Sequence, residues 1–210
     1  MNRKQPTIAF TVGMFNAIDG PMYCVYTQGY GMEMSVDSEW PLNILMMAPP
    51  HLVSCLTRAA DVCSMGIIAG ASYTPGDGNY KQIKSAKGKW VLARPADDIQ
   101  AIVSANLGAV LLIEKVGELK KIFETSNLTE KNLIVAVQIN SISTLETTKK
   151  IVEAVRKKLP KECTEATILI SGSFEHSNLL EYSNIGSASG LLLLDASFDS
   201  ILELIPRMLG

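Results

Sequence analysis

Eight short apolar runs constrain this chain more than anything else in it: Thr7–Phe15, Asn43–Ala48, Ser64–Ala69, Lys89–Ala93, Ala109–Ile113, Leu133–Ile139, Thr167–Ile170 and Leu191–Leu194. Continuous apolar runs of this length, without polar alternation, mark strands of a parallel sheet covered on both faces. Helical spacing fills the intervals: Leu52, Cys55, Leu56 and Ala59; Ile99, Ile102, Val103 and Leu107; Ile151, Val152, Val155 and Leu159; Leu179, Leu180 and Ile185. Strands that alternate with helices pair in parallel through right-handed crossovers. Eight of them are what a closed (β/α)8 barrel needs, so the expected fold is a compact α/β barrel, one domain over residues 1–210.

The chain can afford such a core. Of its 210 residues 47% are hydrophobic and 19% charged, too apolar a balance for disorder. A net charge of −2, with no extended basic stretch, argues against nucleic acid as a partner. Cys24, Cys55, Cys63 and Cys163 have neither CxxC spacing nor histidine neighbours. They read as reduced core thiols rather than a zinc site or disulfide frame, and point to the cytoplasm. No cofactor or metal is expected. The opening Met1–Pro6 is followed by an apolar run too short for a signal sequence or membrane span, so no membrane association is expected.

Local signals refine this frame. Ser143 stands three residues ahead of Glu146, a helix-capping arrangement, while Lys157-Lys158 and then Pro160 mark that helix's end. Ala17–Trp40 fits neither strand nor helix period and reads as loop with one irregular helix. Gly70–Lys84, with Pro75-Gly76-Asp77-Gly78, reads as a loop long for a barrel connection, either an interface loop or a plain surface excursion.

The last forty-five residues carry a more specific pattern. Thr167–Ile170 runs into Ser171-Gly172-Ser173, and Leu191–Leu194 into Asp195-Ala196-Ser197. This resembles triosephosphate isomerase, in which the seventh and eighth strands of a TIM barrel end in Gly-Gly-Ser and Gly-Gly-Ala-Ser turns that bind the substrate phosphate. Met47-Ala48-Pro49-Pro50 is similar to the family's second strand and its Ala-Pro-Pro loop. Gly88–Arg94 sits where the fourth strand runs into Leu-Gly-His-Ser-Glu, and Ile134–Ile139 where the sixth precedes the lid.

Carried over residue by residue, the resemblance implies a lost reaction. The family's lysine falls on Met14, with Asn16 kept from its motif; its electrophilic histidine falls on Arg94 and its glutamate base on Gln138. An amide takes no proton from carbon, a guanidinium stays charged, and a thioether stabilises no enediolate. One positioned acid or base contributes roughly 10²–10⁴ in rate, so their joint absence should erase turnover. Leu194-Asp195 replaces the glycines that approach the phosphate, although Gly172 and Ser173 persist. A carboxylate about 4 Å from a phosphate charge costs roughly 4 kcal/mol at an effective dielectric of 20. The lid segment, here Ser141–Thr144, lacks its hinge glycine.

Barrel enzymes place their chemistry at strand C-termini, so Met14, Asn16, Arg94, Glu114, Gln138, Asn140, Gly172, Ser173 and Asp195 are expected to share one mouth. Two readings of it stand side by side. Arg94 with Glu114 or Asp195 forms an anion or acid/base site, or these charges satisfy one another across a disused pocket. His51 and His176 read as helix-entry and loop residues, and the cysteines as packing. The expectation is a triosephosphate isomerase-like protein without that catalysis, its barrel retained for binding a small anionic metabolite or for association. The alternatives are an enzyme with a repurposed site and a divergent isomerase. In the family a loop after the third strand reaches a neighbouring subunit, so the resemblance implies a homodimer through Gly70–Lys84.

Overall fold

The computed structural model describes residues 6–11, 43–62, 68–72, 78–140, 143–172, 181–182 and 185–194. Met14, Asn16, Ser173 and Asp195, together with Cys24, Cys63, His176, the Ala17–Trp40 stretch and lid residues Ser141 and Ile142, lie outside them. Eight strands are seen: β1 (Thr7–Thr11), β2 (Asn43–Ala48), β3 (Ile68–Ala71), β4 (Trp90–Ala93), β5 (Gly108–Ile113), β6 (Leu133–Gln138), β7 (Thr167–Ser171) and β8 (Gly190–Leu193). Each pairs in parallel with the next, and β8 returns to β1 with Thr7 opposite Gly190, closing the barrel. The expected (β/α)8 barrel is present.

Strand side chains alternate between two cores. Ala9, Leu45, Met47, Trp90, Val110, Leu112, Ile134, Ala136, Leu169 and Leu192 fill the barrel itself. Ile8, Phe10, Ile44, Met46, Val91, Leu111, Val135, Ile168 and Ile170 face outward against the helices. Both faces are dry, and this is why the strands read as unbroken apolar runs. At the lower end Asn43 Nδ2 donates to Thr7 Oγ1 at 3.5 Å, one of the polar contacts inside the closed sheet.

Among the described residues the bounded helices are α1 (Val53–Val62), α2 (Gly78–Ser85), α3 (Ile99–Ser104), α4 (Glu118–Thr125) and α5 (Leu145–Lys158). A short 3-10 turn, Pro50–Leu52, leads into α1, so His51 is an exposed helix-entry residue. Asp98 caps α3 by accepting from the Ala101 N–H at 2.9 Å. In α5 Arg156, Lys157 and Lys158 occupy the last turn, where cations complement the helix dipole, and the chain turns away before Pro160.

Three expectations are corrected. Gly70–Lys84 is not one long loop: Gly70 and Ala71 end β3, and α2 begins at Gly78. Tyr80 and Ile83, one turn apart, are both buried and hold α2 to the sheet, a spacing masked by the polar residues around it. The third strand therefore reaches two residues beyond the run Ser64–Ala69. The cap of α5 is Thr144, whose Oγ1 accepts from Thr147 N–H at 3.2 Å, rather than Ser143. Ser143 is occupied otherwise, its N–H on Asn140 O at 2.9 Å and its carbonyl accepting from the Tyr182 hydroxyl at 2.9 Å. Glu146 pairs instead with Lys150 one turn on, at 2.7 Å.

Candidate ligand site at the barrel mouth

Sequence alternation carries past the strand ends and decides which side chains reach the mouth. Trp90 and Leu92 point into the barrel, so Arg94, directly after β4, continues inward above them. Glu114 follows Leu112 on β5, and Gln138 follows Ala136 at the last position of β6. All three are exposed, and they meet at one cleft of about 220 Å³ whose other walls are Pro95, Ala96, Leu112 and Glu118. Leu112, 4% exposed, belongs to the packed barrel interior and gives the cleft an apolar contact.

The backbone beneath Arg94 is tightly held. Its N–H donates to Asp97 Oδ2 at 2.6 Å, and Asp97 N–H returns a bond to Arg94 O at 3.0 Å. Pro95 presets the turn between them. Across the cleft Glu118, in the first turn of α4, accepts from the N–H groups of both Glu114 and Lys115 at 3.1 Å. Asp97 Oδ2 and Glu118 Oε2 are therefore held by backbone donors. Neither stood out in the sequence, although Pro95-Ala96-Asp97 is a turn signal, and a glutamate four residues after Glu114 could have been read as a first-turn acid.

Arg94 and Glu114 are not joined by an ion pair; among the described residues the surface pairs are Lys120–Glu124 and Glu146–Lys150. The pairing of Arg94 with Glu114 is thus not seen; that of Arg94 with Asp195 falls outside the described residues. Gln138 stands opposite Ser171 in the β6–β7 register, and Ile139 N–H donates to Ser171 O at 2.7 Å. The Ser171 hydroxyl is fully buried beneath the mouth with no hydrogen-bond partner. Gly172 follows it against β6: a Cβ there would lie 2.9 Å from Ile139 Cγ1 and 3.0 Å from Ile139 O. That closeness of backbones is the constraint the structure places on Gly172.

Among the described residues no group of His, Cys, Asp and Glu could hold a metal ion, and no helix is long and apolar enough to cross a membrane. Cys55 and Cys163 are free thiols.

No protein-family model matches the chain, and no curated protein does. A solved structure does: triosephosphate isomerase from Bartonella henselae superimposes with a TM-score of 0.71, over 98% of this chain and 99% of that one. The fold is that of triosephosphate isomerase. Sequence identity is 18%, so the likeness is one of architecture. In a barrel of the triosephosphate isomerase type the strand C-termini form the reactive face. The cleft holding Arg94, Glu114 and Gln138 opens at the C-terminal ends of β4, β5 and β6.

Proposed function

We propose that this chain is a triosephosphate isomerase-like barrel that does not catalyse the isomerisation and is retained for binding at its mouth. One observation carries the reading: a guanidinium and a neutral amide, Arg94 and Gln138, line the same cleft at the ends of β4 and β6. By resemblance these positions match an electrophilic histidine and a glutamate base. A permanently charged group and a non-basic amide can bind and orient a ligand, but they cannot shuttle protons between its carbons. Met14, Asn16, Gly172, Ser173 and Asp195 complete the mouth in this reading, with Asp195 disfavouring a phosphate. Free thiols at Cys55 and Cys163 fit a reducing cytoplasm, and a homodimer is the association that the resemblance suggests.

A second reading is favoured by Glu114 standing in that cleft: Arg94 holds an anionic group while Glu114 serves as base in a different reaction.

A coupled assay for glyceraldehyde 3-phosphate isomerisation separates them from an active isomerase. Wild-type protein is expected to show no turnover above background. Turnover near that of ordinary enzymes overturns the proposal. Gln138→Glu run beside it tests the geometry, since activity appearing in that variant alone identifies a site disabled at its base.

A further inference from the structure

Resting on the reading that the mouth is retained for binding, the charges of the cleft narrow its ligand. One guanidinium and two carboxylates, those of Arg94, Glu114 and Glu118, line about 220 Å³, below the roughly 300–1,000 Å³ of sites for drug-sized molecules. Yet Arg94 and Glu114 form no ion pair, and neither side chain is hydrogen-bonded to a described residue; Arg94 engages Asp97 through its backbone N–H and carbonyl alone. The nearby carboxylates of Asp97 and Glu118 each give one oxygen to backbone donors. Among the described residues the cleft thus offers a ligand one guanidinium, the carboxylates of Glu114 and Glu118, one amide able to donate and accept, and an apolar contact from Leu112.

A simple anion drawn to Arg94 also meets Glu114 and Glu118, whose repulsion offsets the attraction. A simple cation faces the mirror problem. A molecule carrying both charges gains from both residues. We propose that the mouth takes a small dipolar metabolite of the amino-acid class, its carboxylate on Arg94, its ammonium on Glu114 and the Gln138 amide bonding between them. The guanidinium offers a two-pronged donor matched to a carboxylate, and the carboxylate accepts from an ammonium.

The test is titration calorimetry of the full chain at low ionic strength with glycine, β-alanine and γ-aminobutyrate, which vary the charge separation. Acetate, inorganic phosphate and methylammonium serve as single-charge controls. At least one amino acid is expected to bind, with every control at least about tenfold weaker. Arg94→Gln and Glu114→Gln are each expected to weaken that binding roughly tenfold to a hundredfold, as loss of one charged hydrogen-bonding partner does. Both positions are exposed at the rim, so the variants leave the core intact. Phosphate or acetate binding that depends on Arg94 and tightens in Glu114→Gln overturns the dipolar ligand while sustaining the binding reading. Silence from every probe, or binding indifferent to both substitutions, overturns the dipolar ligand and removes support for binding at this cleft. Isomerase turnover in the coupled assay would instead strike the parent reading directly.

Discussion

Gly108, the first residue of β5, lies under the indole of Trp90, its register partner on β4: a Cβ at Gly108 would come within 2.5 Å of Trp90 Cζ3 and 2.9 Å of Cδ2. The indole occupies the barrel interior with Leu45, Val110 and Ile134, and is only 8% exposed. The largest side chain of the inner core is accommodated because the neighbouring strand contributes none at that height.

Gly108→Ala should therefore overpack the barrel and destabilise it by about 1–3 kcal/mol. Urea denaturation followed by Trp fluorescence measures this. Combining it with Trp90→Leu should recover part of the loss, since the smaller side chain vacates the contested space; strictly additive losses would show that the two sites are independent.

Arg156 joins three parts of the chain. Its guanidinium donates to Thr164 O at 2.6 Å, Ala166 O at 2.8 Å and Ser187 O at 3.0 Å, fastening the end of α5 to the approaches of β7 and β8. Half-burial lowers its pKa, opposed by the Glu165 charge, yet a guanidinium stays protonated at ordinary pH. Arg156→Met should cost about 1.5–3 kcal/mol, and Arg156→Lys should recover only part, because an ammonium cannot span three carbonyls set for a planar fork. Thermal unfolding of the three proteins gives the order directly.

Cys163 is fully buried, with its thiol 3.4 Å from Leu128 O. Burial, then the charges of Glu162 and Glu130, push its pKa up to about 11. Its folded-state value is raised, so the stability from the protonated thiol is complete below the unfolded value near 9 and is lost as pH climbs to about 11. Wild-type protein should lose stability relative to Cys163→Ala between pH 8.5 and pH 11 in paired urea titrations, with the gap constant from pH 6 to about pH 8. A gap constant throughout would mean that the thiol titrates alike in both states. At pH 8 native Cys163 should also resist alkylation while half-buried Cys55 reacts first.

The barrel was legible because its strands are buried on both faces: Asn43–Ala48 and Leu133–Gln138 announce themselves without help from distant residues. Boundaries at β3 and α2 were not. Ile68–Ala71 is short and small, since Gly70 sits 2.8 Å in Cβ terms from Trp90 O, and small residues give little periodic signal. The Thr144 cap was displaced from Ser143 because Tyr182, far along the chain, takes the Ser143 carbonyl.

The mouth divides the same way. Sequence alone set the residue types, a fixed cation at Arg94, an amide at Gln138 and a carboxylate at Glu114, and with them the chemistry each can perform, because pKa range and donor inventory belong to the side chain. It also set the eight apolar runs, since the cost of leaving them in water admits few architectures. Strand-end position already put these three at one mouth; tertiary structure decided the size and walls of their common cleft, that Asp97 Oδ2 and Glu118 Oε2 accept from backbone donors, and that Arg94 and Glu114 form no ion pair. Such facts depend on where strand ends separated by twenty or more residues come to rest. Barrel closure, through pairings such as Gly190 with Thr7, determines that, and no local pattern encodes it.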